Sequence, residues 1–129
     1  MRLLLDTHVL LWALAEPERL PMHVRKWLIS PANDVMFSAA NIWEIAIKAQ
    51  IGRLSLSVTV DEIVEAARAS GFRELPIRAV HAAAVYTLPL YHRDPFDRIL
   101  VAQAITEPAR LLTVDATLAQ YSELVEVIG

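Results

Sequence analysis

The sequence predicts an α/β protein, in which a mainly parallel central sheet is covered by helices on both faces as a three-layer α/β/α sandwich. Three observations predict it. Short uninterrupted apolar runs (LLL at 3–5, VMF at 35–37, LLTV at 111–114) have the length and aliphatic content of strands buried on both faces. Longer stretches with helical periodicity lie between them. Turn signals fall where one kind gives way to the other.

In chain order, Arg2 to Leu5 reads as the first strand. Val9 to Ala15 follows as a helix that the EPERLP turn ends. Met22 to Ile29 is a second helix, stopped near Pro31. Val35 to Phe37 is a buried strand that passes through Ser38 into a helix over Ala39 to Gln50, closed by Gly52. Val60 to Ala69 is helical, with Ser70-Gly71 as its C-cap. Phe72 to Leu75 makes a short third strand and Ala79 to Thr87 a helix. LPLYHRD reads as an irregular loop, and Pro95 to Thr106 as a helix. Leu111 to Val114 is a further strand, Ala116 to Tyr121 a short helix and Leu124 to Ile128 a last edge strand. There is no repeat, linker or low-complexity segment, so residues 1–129 are expected to form a single domain.

Composition narrows the function. The chain has 129 residues, 55% of them hydrophobic and 21% charged, which suits one domain with a real core. It has no cysteine, which excludes disulfides, thiolate metal sites and cysteine nucleophiles. No apolar run approaches the ~18 residues of a membrane span, and the N-terminus lacks the long apolar core of a secretory signal. The expectation is a cytoplasmic protein with no membrane partner. With 12 basic and 15 acidic residues the net charge is -3. That argues against nucleic-acid binding by charge alone, but it leaves open an enzyme that holds nucleic acid through a metal and a few arginines.

The acids carry the chemistry. Asp6 ends the apolar run LLLD, and Asp115 ends LLTVD. In open parallel sheets, ligands sit beyond the carboxyl ends of the strands, where both acids fall. Taken alone, each is more simply a helix cap. Glu44 lies on a helix of mostly apolar residues, and Asn41, Glu44 and Lys48 form one polar stripe at spacings of three and four. The stripe faces either solvent, with a Glu44–Lys48 pair contributing only ~0.3–0.5 kcal/mol, or a cleft. Asp94 precedes Pro95 and reads as an N-cap. Asp97, three residues on, reads either as part of a capping box or as a ligand on the first turn.

As a set, Asp6, Glu44, Asp97 and Asp115 are expected at, or one turn beyond, one edge of the sheet. Converging carboxylates repel unless a positive charge sits between them. Hard divalent cations prefer oxygen ligands. They also activate water and steady charge on phosphoryl oxygens. Metal-dependent phosphodiester hydrolysis is the reaction class that suits such a set.

Four stretches, taken in order, carry a resemblance: LLLDTHVLLW, FSAANIWEIAIKAQIGRL, HRDPFDRILVAQA and LLTVDATLAQY. Over essentially its whole length the chain resembles PIN-domain ribonucleases, and among them the VapC-type toxins of toxin–antitoxin pairs. The resemblance implies a PIN-like fold and places the family's acids on Asp6, Glu44, Asp97 and Asp115. It puts the family's small hydroxyl on Thr113. It further implies a Mg²⁺- or Mn²⁺-dependent endoribonuclease acting on RNA, dimeric, and neutralised by a VapB-type antitoxin, with DNA engaged only indirectly through that antitoxin. Within this scheme Asp6, Asp97 and Asp115 hold the metal, and Glu44 orients or deprotonates the attacking water. Thr113, Asp94, Asn41 and Arg98 are supporting candidates. Arg98, Arg93 and Lys48 read either as phosphate contacts or as solvated surface charges. The chain departs from many relatives at Asn41 and His8, whereas Asp94 occurs in many of them.

The four histidines (His8, His23, His81, His92) show no metal-ligand spacing and are expected in loops or on the surface, His8 and His92 near the site. Trp12, Trp27 and Trp43 are expected in the core or at an interface. Two other readings compete. One is a catalytically inert interaction module whose acids are caps; retention of all four acids favours the enzyme. The other is an aspartate-based phosphatase or phospho-acceptor built on Asp6, which ranks last because the second acid of such sites is replaced by His8 and the acidic pair of a receiver domain is missing.

Overall fold

The computed structural model describes residues 1–129. Its strands are β1 (Arg2–Leu5), β2 (Asp34–Ser38), β3 (Arg73–Leu75), β4 (Arg110–Thr113) and β5 (Val125–Val127). They form one sheet in the order β3-β2-β1-β4-β5, and all four pairings are parallel. The helices are α1 (Thr7–Ala15), α2 (Met22–Ile29), α3 (Ala39–Gln50), α4 (Val60–Ala69), α5 (Ala79–Ala84) and α6 (Pro95–Thr106). None is long and apolar enough to cross a membrane.

The three central strands are buried on both faces because β1, β2 and β4 carry consecutive apolar residues, Leu3–Leu5, Val35–Phe37 and Leu111–Leu112, and not alternate ones. Leu3, Leu5, Val35, Phe37 and Leu112 join one core, with Val9 and Leu10 of α1, Val24 of α2 and Ala67 of α4. Leu4, Met36 and Leu111 point the other way, against Ile99 to Ala102 and Ala104 of α6. Leu3, Leu4 and Leu5 have no exposed surface, and each contributes about 2 kcal/mol by burial. The period-two pleat thus turns one uninterrupted run into two cores.

Chain order decides where a ligand can enter. From β1 the chain moves outward to β2 and β3, then returns to the other side of β1 to form β4 and β5. The winding reverses between β1 and β4, and at such a switch point the strand ends open a crevice. Asp6 follows β1 and Thr113 ends β4, so both stand at its floor.

Differences from the expected elements are local. Helix α1 begins two residues early, because Asp6 caps it by accepting the Val9 N–H at 2.8 Å. The helix expected over Ala79 to Thr87 is α5 followed by a 3-10 turn at Val85–Thr87. Pro89 lies just beyond that turn, and the residue before a proline is pushed out of helical conformation. The stretch after Asp115 is a 3-10 turn, Ala116–Gln120, and not an α-helix; the Asp115 carboxylate takes the Thr117 N–H two residues on. Gly52 and Gly71 close α3 and α4 with positive φ, 79° and 85°, as expected of C-cap glycines.

His81 corrects its surface reading. It lies in α5 with no exposed surface. Its Nδ1 accepts the Arg78 N–H at 2.9 Å, so the ring proton is on Nε2, which donates to Glu107 at 2.7 Å. That contact comes first in holding the Glu107 carboxyl below its usual range; Arg2 adds to it. Of the two places expected for Trp43, it is not in the core: it is 56% exposed and packs edge-on against Phe96, ring centroids 5.1 Å apart. Trp12 and Trp27 are half-buried against the α1/α2 core, as expected.

Candidate metal centre

Each acid reaches the crevice by its own local device. Asp6 is the N-cap of α1, so one oxygen faces the helix. Its other oxygen accepts a short hydrogen bond from the Thr113 hydroxyl. Thr113 in turn accepts the Asp115 N–H at 3.1 Å, which joins the ends of β1 and β4 through one side chain. Burial raises the Asp6 carboxyl above its usual range, while Thr113 and the Val9 N–H pull it down in part.

Glu44 lies on the second turn of α3 and is 5% exposed. The Asn41–Glu44–Lys48 stripe therefore faces the cleft and not bulk solvent. Glu44 Oε1 accepts from the Thr7 hydroxyl at 2.6 Å. Its Oε2 accepts a short hydrogen bond from Lys48 Nζ. That bond is first among the influences raising the Lys48 ammonium above its usual range. Asn41 lies beneath, with Nδ2 donating to Thr7 Oγ1 at 3.1 Å.

Asp94 caps α6 as expected, accepting the N–H groups of Phe96 at 2.8 Å and Asp97 at 3.1 Å. The capping box does not form. The Asp94 N–H goes to His92 Nδ1 at 3.1 Å, so the Asp97 carboxylate has no capping duty. Burial first, then the carboxylates of Asp94 and Glu44, push Asp97 up to about 7.

His92 belongs to the cluster itself. Because its Nδ1 accepts from Asp94, the proton is on Nε2. Nε2 donates to Asp115 Oδ2 at 3.0 Å and lies 3.6 Å from Asp97 Oδ2. Burial pushes the Asp115 carboxyl up, but the Thr117 N–H, the His92 ring and the Thr117 hydroxyl outweigh it, and the net direction is down. Ligand atoms of His92, Asp97 and Asp115 lie within 4.8 Å of one another. His92 lies near the site as expected, but its contact with Asp115 was not legible because that partner is distant in the chain.

Together Asp6, Glu44, Asp94, Asp97 and Asp115 line one pocket of about 480 Å³, with Lys48, Thr7 and His8 on its wall. All four primary acids and Asp94 meet there, while Thr113 and Asn41 lie under its floor, buried. Arg98 does not meet them and is neither solvated nor placed for phosphate. Its guanidinium is 9% exposed and bonds the carbonyls of Pro89 at 2.9 Å, Val85 at 3.2 Å and His92 at 3.3 Å, and the Tyr121 hydroxyl at 3.1 Å. Arg93 is exposed.

Five carboxylates against one ammonium leave the pocket strongly acidic. Its carboxylate and hydroxyl oxygens are hard donors, the kind a small divalent cation prefers.

Comparison with known proteins identifies the family and the fold. The family model described as the PIN domain matches residues 3–124. Ribonuclease VapC22 of Mycobacterium tuberculosis is 33% identical over 122 residues, which cover 92% of this chain and 90% of that protein. The VapBC2 structure from Rickettsia felis, bound to a DNA fragment from their promoter, superposes with a TM-score of 0.70 over 100% of both chains at 16% identity. A toxin–antitoxin complex from Klebsiella pneumoniae superposes with a TM-score of 0.66, covering 96% of this chain and 95% of that one at 17% identity. The two superpositions share the fold.

Proposed function

The chain belongs to the PIN-domain family, and from that premise we propose that it is a metal-dependent endoribonuclease and the toxin of a toxin–antitoxin pair. The observation that carries this reading is the meeting of Asp6, Glu44, Asp97 and Asp115 in one pocket at the switch point of the sheet. A relative named as a ribonuclease supports the reaction, and neighbours solved as toxin–antitoxin complexes support the partner.

Asp6, Asp97 and Asp115 would hold Mg²⁺ or Mn²⁺. When bound, such an ion steadies charge on a phosphoryl oxygen and makes a water more acidic. The remaining roles fall to the chain's own groups. Glu44, which accepts from Thr7 at Oε1 and from Lys48 at Oε2, receives the proton of the attacking water at the lone pair that remains on Oε2. Lys48 offsets part of the negative potential that an RNA phosphate meets on approach. Thr113 orients Asp6, and Asp94 starts α6 so that Asp97 projects into the pocket. Arg98 pins the loop that delivers His92. The partners in this reading are an RNA substrate, a VapB-type antitoxin and a second copy of the chain, with DNA reached through the antitoxin.

The test is cleavage of a cellular RNA pool by the purified, antitoxin-free protein with Mg²⁺ or Mn²⁺, with EDTA, and with Asp6→Asn and Asp97→Asn alongside. Discrete cuts that vanish with EDTA and in both variants are expected. Equal cleavage by wild type and variants would remove the carboxylates from the reaction.

A further inference from the structure

A chain of buried polar side chains runs from α6 to Glu44, and the donor direction of each bond is determined. A carboxylate oxygen can only accept, so the Thr7 hydroxyl spends its one hydrogen on Glu44 Oε1, over 2.6 Å. Thr7 Oγ1 must then be the acceptor of its second contact, which turns the Asn41 amide so that Nδ2 donates to it at 3.1 Å. Asn41 Oδ1 is thereby left to accept the Ser38 N–H at 2.7 Å. Ser38 Oγ accepts the Ala40 N–H at 2.9 Å, and its own hydrogen goes to Gln103 Oε1 at 2.6 Å. Gln103 Nε2 donates to the Pro76 carbonyl at 3.2 Å and lies 3.5 Å from His81 Nδ1.

Ser38, Asn41 and Gln103 have no exposed surface, Thr7 is 7% exposed, and no buried side-chain polar atom in the protein lacks a partner. Ser38, Asn41 and Gln103 are closed to solvent, so no water can stand in for one of them; Thr7 alone reaches the pocket wall. A buried network satisfied at every atom has one low-energy arrangement, and breaking it at one point strands its neighbours. The chain also ties α3, which carries Glu44, to α6, which carries Asp97.

We infer that Thr7 is a positioning residue: its hydroxyl, oriented by Asn41, Ser38 and Gln103, holds Glu44 Oε1 and so leaves Oε2, which also accepts from Lys48, for the pocket. The assignment rests on the nuclease reading only for what Glu44 does there; the orientation of Glu44 is a property of the metal-free protein.

The experiment compares Thr7→Ser, Thr7→Val and Asn41→Asp with wild type by two readouts. The first is kcat and KM for RNA cleavage. Thr7→Val, which keeps the shape and loses the hydroxyl, is expected to lower kcat about 10- to 100-fold with KM within about twofold, whereas Thr7→Ser stays within about threefold of wild type. Asn41→Asp, which cannot donate to Thr7, is expected to behave like Thr7→Val and replaces it if that variant melts early. Wild-type kcat in the folded variants, or equal losses in Thr7→Ser and Thr7→Val, would overturn the assignment. The second readout is hydrogen exchange of the Asn41 carboxamide by NMR without metal. Slow exchange in wild type and Thr7→Ser, with fast exchange in Thr7→Val, is expected; unchanged exchange in Thr7→Val overturns the proposal. If wild type cuts no RNA, the nuclease reading fails, and exchange alone decides the role of Thr7.

Discussion

His92 and Asp115 are joined across the crevice, His92 Nε2 donating to Asp115 Oδ2 at 3.0 Å. The bond turns Asp115 toward Asp97, whose Oδ2 is 3.6 Å from the same nitrogen. It also ties the loop before α6 to the end of β4.

Loss of that ring should weaken the cation site without dismantling it. His92→Ala is expected to raise the Mg²⁺ concentration for half-maximal cleavage about tenfold, since partners that orient ligands contribute 10–100-fold to metal affinity. A metal titration of cleavage, with the Mg²⁺-dependent rise in melting temperature as a second measure, checks this. An unchanged titration would leave His92 as a loop residue only.

Asp97 makes the metal-free protein sensitive to pH. Its folded value of about 7 lies above the ordinary 3.8, so between about pH 4 and about pH 7 the folded state binds more protons than the unfolded chain. This carboxyl therefore lowers stability as pH rises through that window. Burial raises Asp6 as well and acts in the same sense, while Asp115 is lowered and acts in the opposite one. In EDTA, Asp97→Asn is expected to match wild type near pH 4 and to exceed it by about 2 kcal/mol at pH 8, after allowance for partial solvent screening. Chemical denaturation at the two pH values measures the difference. Saturating Mg²⁺ should abolish the advantage of the variant.

Arg98 should act on stability before it acts on catalysis. Replacing it with Met strands the carbonyls of Val85, Pro89 and His92, and the expected loss is about 3 kcal/mol. Arg98→Lys should recover less than half of this, because an ammonium cannot reproduce the planar fork. Urea unfolding of both variants tests the order.

Thr113 links Asp6 to the Asp115 backbone, and Thr113→Val removes both bonds while keeping the shape. A loss of about 1–2 kcal/mol is expected. With less opposing burial, the Asp6 carboxyl should titrate higher still. Carboxyl titration by NMR in the metal-free protein reads the second effect; an Asp6 titration identical to wild type would disconnect the pair.

Much of this was legible along the chain. Apolar runs marked β1, β2 and β4, Pro95 behind Asp94 marked the start of α6, and Gly52 and Gly71 marked helix ends. Each is a local signal, since strand burial, helix capping and positive φ depend on neighbours a few residues away. Asp6, Asp97 and Asp115 were legible for the same reason, since each directly follows a strand end or lies in the first turn of a helix, whereas Glu44 showed only as a polar position on an otherwise apolar helix. His81 and Arg98 were misread because what surrounds them comes from distant segments, Glu107 for His81 and the carbonyls of residues 85–92 for Arg98; His92 was expected near the site, but its bond to Asp115 was not legible for the same reason.

By itself the sequence determined the parallel α/β class, the element order and the identity of the acids, because periodicity and capping are short-range. Only the tertiary structure decided that the Asn41–Glu44–Lys48 stripe faces a pocket, that His92 enters the cluster and that Arg98 is buried. A helix face has no preferred side until something packs against it. Here the packing of α3 between α1 and α6, over the switch point of the sheet, makes that choice.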